Sequence, residues 1–278
     1  MIIPKNISVE VLLIDNNSSD NTKTVIEGFK ETSDLTVIYL FEKNQGKINA
    51  LNTGLNVAKG DIICFTDDDA IVDKNWLVNI VKAFEDTGAA CIGGKVLPIW
   101  EKPPPKWLKK ELYGCIALLD LGNDSLRLKE PTIWGVNIAI KSEVLRRYNF
   151  QFNPKFFNRG EDTDLVSCLI RKGEKVYYRP EILVYHCITE KRMRKSYFLK
   201  WKYEQGKFRG LYMYDGHCKN IMGIPLFAIK ATLAKLFRYL FYQTLVPDKA
   251  FIEQVHLMHY LGFIIARFKT ITLRINHG

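Results

Sequence analysis

The chain has 278 residues, 47% hydrophobic and 25% charged, an ordinary globular balance that argues against disorder and suits one large domain plus an appendage. Forty Lys and Arg against thirty Asp and Glu give a net charge of +10, which points to an anionic partner such as nucleotide phosphate, anionic lipid or nucleic acid. The six cysteines form no CxxC pair, so free thiols are expected, and no run of 18 residues is free of charge, so no conventional spanning helix is expected.

In chain order, residues 9–14 (VEVLLI) read as a buried strand ending at Asp15-Asn16-Asn17. A helix is predicted from Thr22, with Asp20 as its cap and Val25, Ile26 and Phe29 on its apolar stripe. Residues 35–41 form a second strand. Gly46 opens a helix with Ile48, Leu51, Leu55 and Ala58 on one face, and Gly60 closes it. Residues 61–65 (DIICF) are a third strand, 74–85 a helix ended by Gly88, and 91–96 a further strand. Strands alternating with helices predict an α/β fold with a mostly parallel, Rossmann-like sheet flanked by helices. Beyond Pro103-Pro104-Pro105 the pattern loosens. Strands are predicted at 134–140, 176–178 and 182–186, and helices at 142–148 and 163–171, the second entered by a turn at 158–162.

Thr66-Asp67-Asp68-Asp69 follows the third strand directly, at the C-terminal end where open α/β sheets place their ligand crevices. Carboxylates this close raise one another's pKa unless a cation lies between them. A hard divalent ion, Mg²⁺ or Mn²⁺, fits oxygen ligands shared with substrate phosphates. The plainer reading is a solvated acidic turn, with Asp73 capping the next helix.

After His186 the character changes. Residues 191–209 carry eight basic side chains against one acidic, interleaved with Tyr197, Phe198, Trp201, Tyr203 and Phe208. Residues 221–245 are strongly apolar but interrupted by Lys230, Lys235 and Arg238. Basic and amphipathic character together predict peripheral contact with an anionic membrane, against a core-packed helix with solvated lysines.

Five segments in series carry a family resemblance: VLLIDNNSSDNT (11–22), NQGKINALNTGLNVAKGD (44–61), FTDDDA (65–70), GVNIAI (135–140) and GEDTDLVSCLIRKG (160–173). Together the chain resembles family 2 glycosyltransferases of the GT-A fold over roughly residues 8–190. The expected layout is a glycosyltransferase domain at 1–190 and a C-terminal helical appendage at 191–278. The resemblance implies metal-dependent, inverting transfer from a nucleotide-sugar donor, UDP-linked, to a glycan or lipid-linked acceptor in cell-surface polysaccharide synthesis. It places Asp15, Asn17, Lys47, Asp67, Asp68, Asn137 and Glu161 against the nucleotide sugar. Asp69, with Asp67 and His186, is implied around the metal, and Asp162 is implied as the base. A cytoplasmic enzyme, peripheral on the inner face of the plasma membrane, is expected.

In one respect the chain departs from the family pattern. Relatives open with a strand ending in a P-x-Y-N-like loop, whereas here Met1-Ile2-Ile3-Pro4 stands just before the family's second strand, so the first strand and helix are expected to be missing. The alternative reading is therefore an impaired, non-catalytic remnant that acts only in binding. A processive synthase is disfavoured because no Q-x-x-R-W follows residue 162, and a dehydrogenase because no G-x-G-x-x-G follows a strand. No nucleic-acid motif accompanies the charge, so nucleic acid is not expected as a partner.

Overall fold

The computed structural model describes residues 1–156, 160–214 and 218–276, the side chains of 271–276 excepted, so Asn158 and Arg159 of the predicted turn lie outside it. The chain divides into two compact units, Met1–Pro98 with Leu119–His186, and Ile99–Leu118 with Cys187–Gly278. The second unit thus joins the proline-rich segment to the residues after His186.

In the first unit the β-branched runs form β1 (Glu10–Asp15) and β2 (Thr36–Phe41), joined through α1 (Thr22–Thr32) and paired in parallel from Glu10↔Thr36 to Asp15↔Phe41. Asp20 accepts the backbone N–H of Thr22 at 3.0 Å, but the N-cap position of α1 is Asn21, so Asp20 braces the first residue of the helix from one position before the expected cap. Gly46, at φ 129°, turns the chain into α2 (Lys47–Val57), a conformation that side chains rarely adopt. Then follow β3 (Ile62–Phe65), the short β4 (Ala70–Val72), α3 (Trp76–Thr87) and β5 (Cys91–Trp100). After β6 (Leu126–Arg127) come β7 (Ile138–Lys141), α4 (Ser142–Arg147), α5 (Glu161–Arg171) and β8 (Val176–Ile188).

A six-stranded sheet runs in the order β3-β7-β5-β8-β4, with β6 also on β8. The α/β class with flanking helices and a C-terminal helical part is as expected, but the strand directions differ. β7 pairs antiparallel with both β3 and β5, and β4 and β6 pair antiparallel with β8. The long, mostly irregular stretch after β5 is the physical reason: it lets β7 return between two strands that precede it, which a short βα crossover cannot do. Residues 134–140 split into a 3₁₀ turn, Gly135–Asn137, and β7. The two strands expected at 176–186 are one, and its strict alternation puts Ile182, Val184 and His186 on the buried face.

Ile80, Ala83, Phe84, Ile92, Ile138, Ile140, Leu165, Val166 and Val184 supply the core of this unit, each large apolar side chain contributing about 1.5–3 kcal/mol. Close packing is set at Gly94, where a Cβ would lie 1.9 Å from the carbonyl oxygen of Ile182. All six cysteines are free, and burial pushes the Cys64 thiol up to about 12, which keeps it inert.

The second unit contains α6 (Lys195–Phe208), a hairpin of β9 (Asn220–Ile221) and β10 (Ile224–Pro225), α7 (Leu226–Leu245) and α8 (Pro247–Asn276). Trp107 stands edge-on to Phe198 and Phe251, with ring centroids 5.3 and 4.8 Å apart. No helix among the described residues is long and apolar enough to cross a membrane.

Candidate active site

A cleft in the first unit is lined by Lys47, Leu51, Phe65, Thr66, Asp67, Gly135, Ile138, Phe152, Glu161, Asp162 and Leu165. Three elements bring charge to it. The first turn of α2 supplies Lys47, the loop after β3 supplies Asp67, and the first turn of α5 supplies Glu161 and Asp162. Lys47 Nζ lies 3.1 Å from Glu161 Oε1 and 3.4 Å from Asp67 Oδ1. Burial works to lower the Lys47 pKa, but Glu161, Asp67 and Asp162 outweigh it and hold the ammonium above the usual lysine range. The Lys47 side chain still keeps 41% of its surface exposed, so it can meet an incoming anion.

Asp162 receives N–H donors from Gly135 at 3.2 Å and Thr163 at 2.6 Å. Burial, and then the neighbouring Glu161 charge, raise its pKa, outweighing these two donors and Lys47. A carboxylate desolvated in a cleft and raised in basicity is suited to accepting a proton. Gly135 gives it room: a Cβ there would stand 3.7 Å from Asp162 Cβ and 3.9 Å from Lys47 Nζ, filling space between the two.

The other predicted residues are placed elsewhere. Asp68 is exposed, and so is Asn17, which takes the left-handed conformation at φ 60°. Asp15 is 5% exposed and accepts the backbone N–H of Ser18 and the hydroxyl of Tyr39, both at 2.9 Å. The Ser18 donor above all, with Tyr39, holds its carboxylate below the ordinary range against the cost of burial. It remains ionised and oriented at the end of β1.

The metal set divides into two. Register Ala70↔His186 between β4 and β8 brings His186 Nε2 within 3.1 Å of Asp69 Oδ1, whereas Asp67 turns to Lys47. Among the described residues, no three His, Cys, Asp or Glu are grouped to hold a metal. One carboxylate oxygen and one imidazole nitrogen still suit a hard divalent ion that takes its remaining ligands from phosphate and water. The donor chemistry therefore fits a two-residue site, Asp69 with His186, rather than the three-residue one.

Asn137 is 1% exposed and spent on the core. Its Oδ1 accepts Trp76 Nε1 at 2.9 Å, and its Nδ2 donates to the carbonyls of Lys95 at 3.0 Å and Ile182 at 2.9 Å. Both amide hydrogens are used, so the side chain fixes the Gly135–Asn137 turn and is not available to a sugar. Asn137→Ala would strand three polar groups at about 1–3 kcal/mol each. The expected result is a large fall in melting temperature, read by thermal unfolding, rather than a selective loss of ligand binding.

Sequence reasoning missed the residues that hold the loops. Asn16 Nδ2 donates to the carbonyl of Asn44 at 2.7 Å, and its Oδ1 accepts Gly46 N–H at 2.6 Å, tying the end of β1 to the start of α2. Asn52 exchanges two hydrogen bonds with the Phe152 backbone, at 2.8 and 2.9 Å, and sets that ring in the cleft. Phe152 stands edge-on to Phe65 at 5.9 Å. The signal available was the run of asparagines at 16, 44 and 52, a residue type that bonds loop backbone.

Succinoglycan biosynthesis protein ExoM of Rhizobium meliloti is 22% identical over 215 residues, 76% of this chain and 67% of the relative. Glucosyl-dolichyl phosphate glucuronosyltransferase of Haloferax volcanii is 23% identical over 203 residues, 70% of this chain and 64% of the relative. Among solved structures, GalNAc-T7 with UDP, GalNAc and Mn²⁺ shares the fold at a TM-score of 0.53 and 15% identity, covering 95% of this chain and 51% of that one. The family model for glycosyl transferase family 2 matches residues 5–148, just over half of the chain, and the protein belongs to that family of glycosyltransferases.

Proposed function

We propose that the chain transfers a sugar from a UDP-linked donor to a hydroxyl of a glycan or lipid-linked acceptor, with inversion at the anomeric carbon. The observation that carries this reading is the cleft where Lys47 and three carboxylates, Asp67, Glu161 and Asp162, converge beside Gly135. UDP in the GalNAc-T7 structure and the polysaccharide role in the ExoM name favour the same donor and acceptor classes.

Asp162 takes the proton of the acceptor hydroxyl as its oxygen bonds to the anomeric carbon, and the bond from that carbon to the diphosphate breaks. Lys47, at the N-terminus of α2, meets the diphosphate with its ammonium and the helix dipole together. Glu161 holds Lys47 in place. Asp15 and Asn17 face the nucleoside, Asp15 accepting a ring N–H, with Asp67 and Asp68 toward the ribose. When bound, Mg²⁺ or Mn²⁺ at Asp69 and His186 would neutralise charge on the departing diphosphate.

A screen for UDP release across UDP-sugars, with and without Mn²⁺, tests the reading. Turnover of at least one UDP-sugar is expected; no release from any donor would favour the binding-only alternative. The pH profile is a second check. A base must be deprotonated, so activity is gained as pH rises through the Asp162 pKa, and that pKa is raised by burial and Glu161. The acid limb of kcat/KM should lie above the ordinary aspartate range. Glu161→Gln should move it down, by removing the charge that raises it.

A further inference from the structure

The second unit buries Phe198, Phe208, Phe251, Val255 and Phe263, yet its helix α7 turns large apolar side chains to the outside. On α7 the stripe Leu233, Phe237, Leu240 and Phe241, at i, i+4, i+7 and i+8, faces solvent, with Leu233 61% and Phe237 70% exposed. The side of the same helix that meets α8 carries Lys235, whose Nζ lies 2.8 Å from Glu253 Oε2. A water-facing helix shows the reverse arrangement.

The neighbouring helices α6 and α8 pack through glycines. Gly206 and Gly210 of α6 and its following turn, four residues apart, let α8 approach so closely that a Cβ on Gly206 would stand 1.8 Å from the His259 carbonyl oxygen. Gly262 on α8 makes the reciprocal approach to the Tyr203 carbonyl. Small residues at four-residue spacing, ionisable groups turned inward and apolar groups turned outward are how helices pack when lipid surrounds them. Lys202 and His259 lie in this interior, and burial lowers both pKa values, His259 to about 4. The hairpin entering α7 adds Ile221 and Met222, both exposed, at its tip.

Charge selects the kind of lipid. This unit holds 20 Lys and Arg against 7 Asp and Glu, a net +13, whereas the other holds 20 against 23, a net −3. The whole positive excess lies in the unit with the exposed apolar stripe. No described helix is long and apolar enough to span a bilayer, and Lys230 and Arg238 interrupt α7. A 20-residue helix of this kind lies in the interface plane.

We infer that α7 docks flat on an anionic bilayer, with Leu233, Phe237, Leu240 and Phe241 in the acyl boundary and the basic groups of its unit against the headgroups. Of the two tail segments expected to make this contact, 191–209 and 221–245, the inference assigns the apolar part to the second, since Phe198 and Phe208 of the first are buried. The inference is independent of the donor and the acceptor.

The test is sedimentation of the full chain with phosphatidylglycerol vesicles and with phosphatidylcholine vesicles, at low and high salt. Binding to the anionic vesicles is expected, weaker on the neutral ones and weaker as salt screens the charges. Phe237→Glu with Leu240→Glu should bind at least tenfold more weakly, with melting temperature unchanged, and Phe237→Gln should bind at an intermediate level. Failure of the parent chain to sediment with anionic vesicles overturns the proposal, as does undiminished binding by all these variants. A lipid-free dimer that Phe237→Gln converts to monomer would assign the stripe to a second copy and overturn it equally.

Discussion

Asp162→Asn is expected to lower transfer by about 10²–10⁴-fold while UDP binding stays close to that of the parent chain. The amide keeps the shape of the side chain and one acceptor oxygen, but it cannot take the acceptor's proton. If Asp162 served only as a first-turn helix residue accepting the Thr163 and Gly135 N–H groups, the substitution would shift the melting temperature and leave transfer near the parent rate. Transfer and thermal unfolding measured on the same preparation separate the two roles. A rate within threefold of the parent would remove Asp162 from the chemistry.

Excess chelator should abolish transfer, and Mn²⁺ or Mg²⁺ should restore it. Loss of the charge neutralisation supplied at the leaving diphosphate corresponds to several kcal/mol, or about 10²-fold and more in rate. Asp69→Ala should lose activity even at high metal concentration, because it removes the carboxylate that the β4–β8 register sets beside His186. Undiminished turnover in chelator would remove the metal from the account.

The parts of this fold with a strong local period were legible in the sequence. The strands at 10–15, 36–41 and 62–65, the first part of β5 at 91–96 and the helices between them follow from β-branched runs, 3.6-residue stripes and glycine punctuation, whereas β4 and the end of β5 were not foreseen. Strand direction was not legible, because β7 finds its place between β3 and β5 by long-range pairing that no local pattern encodes. Lys47 and Asp162 stand in the first turns of helices that follow Gly46 and Gly160, and it was the family resemblance that implied a shared site for them. Asn137 shows the opposite case. The family resemblance implied a place against the nucleotide sugar, but its fate depended on Trp76, Lys95 and Ile182, each distant along the chain. Likewise, nothing in the local run 221–245 shows which side of α7 faces α8, and that side decides whether its lysines or its phenylalanines meet the solvent.

The most direct test of the central claim is a calorimetric titration of UDP, in Mn²⁺, into the parent chain and into Lys47→Met, with melting curves run beside it. Lys47 is the cation that the cleft's three carboxylates hold charged, and its loss removes a charged partner of the diphosphate contributing about 1.5–3 kcal/mol, or roughly 10- to 100-fold in Kd. UDP binding by the parent chain is expected, with at least tenfold weaker binding by Lys47→Met at temperatures where both are folded. Equal affinity in the two folded chains would contradict this, and would mean that this cleft is not where the nucleotide sits.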